Sequence, residues 1–242
     1  MRKSAPIEVV VHYPKTEEGW EELGKRVATA HANYVIEKIE RLNCPTWQKL
    51  ELYQAVIDTA KGIYNFCQTI FNLPCSLITP ITISIIPTVT AALTKGNTAG
   101  ARHTEESAVR TMSLIAMPCA VGLAVLSEPI IRLLARNYGP ESVATAAPIL
   151  AYLGIAVIFN STVLLFNAIM QAHGDVTTPV VNMLIGGIVK VVVNYILVAI
   201  PSLNIIGAAI GTIVCYVTIT VLDLIAMRRS VTTRPAIFRN VI

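Results

Sequence analysis

The chain has 242 residues and a net charge of +4, with 54% of its side chains apolar and only 14% charged. Soluble domains carry about 25% charged residues, and here the shortage is concentrated: residues 1–61 hold nine basic and nine acidic groups, whereas residues 62–242 hold ten and six. The longer part has too little charge to cover a water-soluble globule. That excludes an ordinary cytosolic enzyme, a disordered chain and a nucleic-acid-binding surface, and it points to a multi-pass membrane protein with basic loops.

Residues 1–61 read as a small soluble charged module. Ile7–His12 is a short predicted strand closed by Tyr13-Pro14, and Glu17–Leu42 a charged helix with Glu17 and Glu18 in its first turn. Asn43-Cys44-Pro45 breaks it, and Thr46 is placed to cap a second helix ending near Lys61. Arg2 and Lys3 are followed by no apolar run, so no signal peptide is expected.

From Gly62 the texture changes. A membrane helix needs about 20 mostly apolar residues, and five such spans are predicted: Leu73–Thr94, Val109–Leu134, Ala146–Ile169, Pro179–Ile200 and Asn204–Met227, with Pro201-Ser202 connecting the last two. Lys95, Arg102 and Arg110 between spans one and two, and Arg228, Arg229, Arg234 and Arg239 after span five, would share one side. Arg132 and Arg136 lie on the other, so the larger basic group is assigned to the cytoplasm. Five spans then place the basic opening module outside, a clash that points to a fusion near Lys61-Gly62 or to a further span.

No catalytic set is visible. There is no HExxH, no Gly-rich loop after a strand and no Ser-His-Asp spacing. The cysteines Cys44, Cys67, Cys75, Cys119 and Cys215 form no CxxC pair, so neither a metal nor a cofactor is expected. Glu105 and Glu106 read as a solvated helix start beside Arg102 and Arg110, and Asp223 as a helix-end charge.

The polar groups inside the spans carry more information. Lys190 sits mid-span, where an ionised amine costs about 2.5–3.5 kcal/mol. With Asn182, Gly186 and Asn194 it recurs every four residues, a slowly spiralling stripe assigned to a hydrated cavity. Asn65, Gln68 and Asn72 share one face entering span one, and Asn160, Asn167 and Gln171 one face of span three. Single amides often only join helices, but three such faces and a central cation suggest a shared polar interior. Pro74, Pro80, Pro87 and Pro118 interrupt spans one and two, a pattern seen where helices break around a transport site. Gly207-Ala-Ala-Ile-Gly211 is a close-packing motif.

GIYNFCQTIFNLP (62–74), ISIIPTVTAAL (83–93) and the run GDVTTPVVNMLIGGIVKVVVNYILVAIPSLNIIGAAIGT (174–212) resemble the second lobe of polysaccharide-biosynthesis flippases. The resemblance is to the stage V sporulation protein B and lipid II flippase branch, within the multidrug/oligosaccharidyl-lipid/polysaccharide exporter superfamily. It implies an all-α, two-lobed transporter that moves a lipid-linked oligosaccharide across the cytoplasmic membrane by alternating access, with cationic groups facing the substrate's phosphates. The five spans would match helices two to six of the second lobe, with no counterpart here of the first lobe. That branch has an arginine near the start of the span matched by 64–74, where this chain has Gln68 and Thr69. The opening module resembles small mobile-element proteins of unknown function.

The expectation is therefore an all-α multi-pass bundle of about five spans behind a small soluble module. Its function is that of a flippase fragment, inactive alone and not an enzyme. Its partners are a lipid-linked glycan, membrane lipid, and a first lobe or a second copy. The alternatives are half of a multidrug/cation antiporter, for which a carboxylate such as Asp223 in the cavity would be needed, and a non-transporting remnant or membrane interaction subunit.

Overall fold

The computed structural model describes residues 26, 30, 33–134, 140–200, 203 and 205–231, the side chains of 140, 141 and 230 excepted. The strand expected at Ile7–His12, the turn at Pro201-Ser202 and the tail with Arg234 and Arg239 lie outside them. Among the described residues there is no strand, and the six long elements are helices: α1 (Thr46–Thr94), α2 (Thr98–Val125), α3 (Ser127–Leu134), α4 (Pro140–Ala172), α5 (Thr177–Val198) and α6 (Ile206–Ser230). Five of them, all but α3, are long and apolar enough to cross a membrane. The chain is an all-α, multi-pass membrane protein.

It divides into two units, residues 1–53 and 54–242. In the first, residues 33–40 are helical. Arg41 pairs with Glu37, Lys38 lies 5.5 Å from the ring centre of Tyr34, and the Lys49 amine donates to the Glu40 carbonyl.

Three boundaries differ from expectation. The helix that Thr46 opens does not stop near Lys61 but continues to Thr94, because Gly62, unlike Gly96 and Gly174, does not take a left-handed backbone. Pro74, Pro80 and Pro87 lie within that helix without ending it. Ser and Thr hydroxyls along it (Thr69, Ser76, Ser84, Thr88) donate back to carbonyls three or four residues earlier, which satisfies them without a neighbour. Span two starts earlier and ends sooner than Val109–Leu134. α2 closes at Leu126, and Ser127–Leu134 is a separate short helix carrying a Glu128–Arg132 pair at 2.6 Å.

Two connections have a clear local cause. Between α1 and α2, Gly96 takes φ +69°, and the Asn97 side chain accepts the Gly100 N–H at 2.9 Å, capping α2. Between α4 and α5, Gly174 takes φ +87° and Asp175 accepts the Thr178 N–H at 3.1 Å.

α4 is the central helix of the second unit. Of its most apolar 18-residue window 56% is buried, against 11% for α5 at the edge. One half of the core joins Cys67 and Phe71 of α1 to Ile149, Leu150 and Leu153 of α4 and Ala209 of α6. The other joins Ile78 and Val89 of α1, Val109 and Met112 of α2, and Leu165 and Ile169 of α4. Polar ties cross the same interfaces: Tyr64 to Thr212 at 3.1 Å, and the Thr90 hydroxyl to the Ala172 carbonyl at 3.1 Å.

In lipid, such a bundle is held by close packing rather than by water exclusion, so small residues at crossings matter most. A Cβ on Gly154 would lie 2.8 Å from the Ala124 backbone, and one on Gly207 2.8 Å from that of Leu197, whereas one on Gly122 meets nothing within 4 Å. Gly154→Leu and Gly207→Leu should each destabilise the chain by about 1–3 kcal/mol, read as a lower thermal midpoint in detergent. Gly122→Ala should leave the midpoint unchanged or raise it.

Candidate functional site

The stripe on α5 has a definite partner. Asn182 is buried and donates to an Asp223 carboxylate oxygen at 2.8 Å. Gly186 lies against Ile219 and the Cys215 carbonyl, and Asn194 against Gly211. Lys190 falls within electrostatic reach of Cys215. Each step of four up α5 is thus matched by a step of four down α6, from Asp223 through Ile219 and Cys215 to Gly211. The two helices form an antiparallel seam, and Gly211 of the close-packing motif leaves room there for the Asn194 amide. The stripe is turned mainly toward α6.

Lys190 is the exception within that seam. It is half-buried, and among the described residues it has no ion-pair partner. By helix rise it sits about 20 Å from the start of α5 and about 12 Å from its end, too deep for its side chain to reach either end.

The amides of the other two faces are not gathered around it. On α1, Asn65 and Asn72 are exposed, while Gln68 is half-buried with its carbonyl oxygen enclosed and unbonded. On α4, Asn160 donates to the Cys75 sulfur at 2.9 Å, joining α4 to α1. Asn167 is buried, with its amine 3.6 Å from the Met183 sulfur and its oxygen unbonded, and Gln171 is exposed. Asn160 and Asn167 therefore join helices, whereas Asn65 and Asn72 form an exposed polar line that continues through Thr69 and Ser76.

Two carboxylates behave differently from expectation. Glu106 pairs with Arg102 at 2.9 Å, as a helix-start charge would, but Glu105 is fully buried and lies 2.8 Å from His173 Nε2. Asp223 is not a helix-end charge: it is fully buried, and its second oxygen has no partner. Both were legible by periodicity. Glu105 lies on the face of Ala101, Ala108 and Met112, and Asp223 continues the four-residue line of Gly207, Gly211, Cys215 and Ile219.

A cavity of about 210 Å³ lies between α2, α4 and α6, walled by Met112, Ala116, Phe159, Phe166, Thr220 and Leu224. Its lining is apolar and includes none of the polar stripe residues. No group of three or more His, Cys, Asp or Glu residues placed to hold a metal is found among the described residues.

A family model for the lipid II flippase MurJ matches residues 49–241. The chain belongs to the MurJ lipid II flippase family. It is 28% identical over 184 residues to the lipid II flippase MurJ of Bacillus subtilis (strain 168), covering 73% of this chain and 32% of that protein. It is 31% identical over 153 residues to the probable lipid II flippase MurJ of Rhizobium meliloti (strain 1021), covering 62% and 28%. It is 24% identical over 158 residues to stage V sporulation protein B of Bacillus subtilis, covering 65% and 29%.

The chain spans about a third of the length of the curated relatives it matches. Among solved structures, an inward-facing multidrug resistance MATE family transporter of the MOP superfamily aligns with TM-score 0.63 at 14% identity. That alignment covers 77% of this chain and 45% of the transporter, a likeness of fold. The five apolar helices and the family place the chain in the cytoplasmic membrane as a multi-pass protein. The family match begins at residue 49, ahead of the compositional change at Gly62.

Removing one partner of a buried hydrogen-bonded pair costs about 1–3 kcal/mol. His173→Ala should therefore lower the thermal midpoint measurably, whereas Arg102→Ala, at a partly exposed pair, should change it little.

Proposed function

We propose that this chain is the part of a lipid-linked precursor flippase that supplies one wall of the substrate cavity, working by alternating access with a second set of helices. The observation that carries the reading is Lys190, a cation deep in a membrane-spanning helix, half-buried and without a carboxylate partner among the described residues. An amine at that depth needs water, an anion or carbonyls, and a phosphate-bearing lipid-linked glycan supplies the anion. Family membership supports the same substrate class.

The exposed polar line of α1, with Asn65 and Asn72 and the half-buried Gln68 beside it, is the natural continuation of that wall. Facing lipid, those amides would be left without partners. Asn194 and Asn182 shape the seam that holds Lys190, while Asn160, Asn167 and Gln171 support α4. The chain's contribution is to transport by the assembled flippase rather than to catalysis. The charged opening module is confined to the residues ahead of the family match at residue 49, and the partners are the lipid-linked glycan, membrane lipid, and a first lobe or a second copy. The loop 95–97 and the end of α6 face the cytoplasm.

Lys190→Met in a full-length relative carrying this segment should insert normally and lose most flipping of a fluorescent lipid-linked sugar. Normal transport by the Met variant would assign Lys190 to packing. The present chain, purified monodisperse and reconstituted into liposomes, should flip no faster than protein-free vesicles, since rocking needs two bundles around a midplane site.

A further inference from the structure

We propose that the Asn182–Asp223 contact is a proton-exchange site at one end of the α5–α6 seam, with Asp223 holding a proton while the seam is closed. Asp223 is fully buried by protein. Its Oδ1 accepts one hydrogen bond, from the Asn182 amide at 2.8 Å, and its Oδ2 is enclosed with no partner. A carboxylate in such a place has one neutral donor to stabilise its charge. Burying an ion so poorly paired is far more costly than burying a neutral acid with one unmade hydrogen bond.

No charge from the surrounding elements offsets it. On α5 the next ionisable group is Lys190, eight residues beyond Asn182 and about 12 Å along the axis. α4 carries no Asp, Glu, Lys or Arg from Ser142 to Ala172, and α1 none from Gly62 to Thr94. On α2, Glu105 pairs with His173 and Glu106 with Arg102, and His103 and Arg110 are exposed. Arg228 and Arg229 of α6 are five and six residues on, exposed and turned well over 90° from Asp223.

A metal cation would need more oxygen ligands than this carboxylate and one amide provide. A proton needs only Oδ2: at the open site the carboxylate takes H⁺ from hydronium, leaving water, to become the neutral acid, and on reopening it returns H⁺ to water. Access is short, because Asn182 lies about 8 Å from the start of α5, so local parting of the helix ends exposes the pair. Raising the pH then favours the ionised form and works against closure, and lowering it favours the closed seam.

The chain contains only three aspartates, Asp58, Asp175 and Asp223, so carbon-13 labelling of aspartate in the whole protein in lipid nanodiscs gives three carboxyl signals. One should keep the shift of a neutral acid at neutral pH and disappear in Asp223→Asn. If that variant does not fold, Asp58→Asn and Asp175→Asn assign the signal by elimination. Protection of the α5 amides, taken as exchange relative to the intrinsic base-catalysed rate at each pH, should fall with rising pH in the native protein and stay level in Asp223→Asn. Three ionised aspartates at neutral pH would overturn the proposal. So would a signal that moves when sodium is replaced by choline at fixed pH, which would mark a bound metal cation. Neither readout depends on flipping, so the site stands or falls apart from the transport role.

Discussion

The register between α5 and α6 sets the arrangement of the polar groups. Two antiparallel helices meet along lines of every fourth residue, and wherever one line carries a bulky or polar group the other carries something small or complementary: Asn194 on Gly211, Ile219 on Gly186, Asn182 on Asp223. A slip of one residue would turn the whole amide series about 100° away, leaving Asp223 without its donor and Asn194 against Ile210 or Thr212. Small residues permit the approach, and the polar pair at one end makes it specific. In lipid, where apolar side chains gain little by leaving their solvent, such matching is the main source of specificity.

That seam reaches the rest of the bundle through α6. Its other sides lie on α4 and α1, with Thr220 near the Phe159 carbonyl, Tyr216 stacked on Phe71 at 6.2 Å and Thr212 bonded to Tyr64. α4 is therefore enclosed by α1, α2 and α6, while α5 hangs on the edge through α6. An edge helix with most of its length exposed suits a wall that faces either lipid or a second bundle. It is also where Lys190 resides.

Much of this architecture was legible from composition. Long runs poor in charge marked the five spans, the fourth across the single Lys190, because a span of about 20 residues in hydrocarbon must be mostly apolar. The ends were harder. The helix from Thr46 shows why: charge falls sharply at Gly62, but backbone conformation does not follow charge, and with no Pro or left-handed residue there the helix continues to Thr94. The split of span two at Leu126 has no hydropathy signal, since both sides are apolar, and it shows only in the Ser127-Glu128 helix start.

The stripe of Asn182, Lys190 and Asn194 was legible as a stripe. Its partner was not, because a single helix's periodicity names a face without naming what lies opposite. Asp223 could have been found by extending the four-residue spacing of Gly207 and Gly211 by three further steps.

Three ionisable groups within the apolar helices show the available solutions to charge in a membrane. Glu105 is buried against His173, so its charge is met by a donor that can itself become cationic. Asp223 is buried against an amide alone, which stabilises a neutral acid better than an anion. Among the described residues Lys190 has no carboxylate partner, and it is only half enclosed. The first two are solved within the fold, by pairing and by proton uptake, and need nothing from outside. Only the third leaves its requirement open, and that requirement has a sign and a depth: negative charge, or water, brought to the middle of the membrane beside α5. In the proposed function a phosphate-bearing, lipid-linked substrate would meet it in one state and water in the other. Lipid alone would meet it in neither state, which is the physical reason for proposing a transport path along this helix rather than along the apolar cavity between α2, α4 and α6.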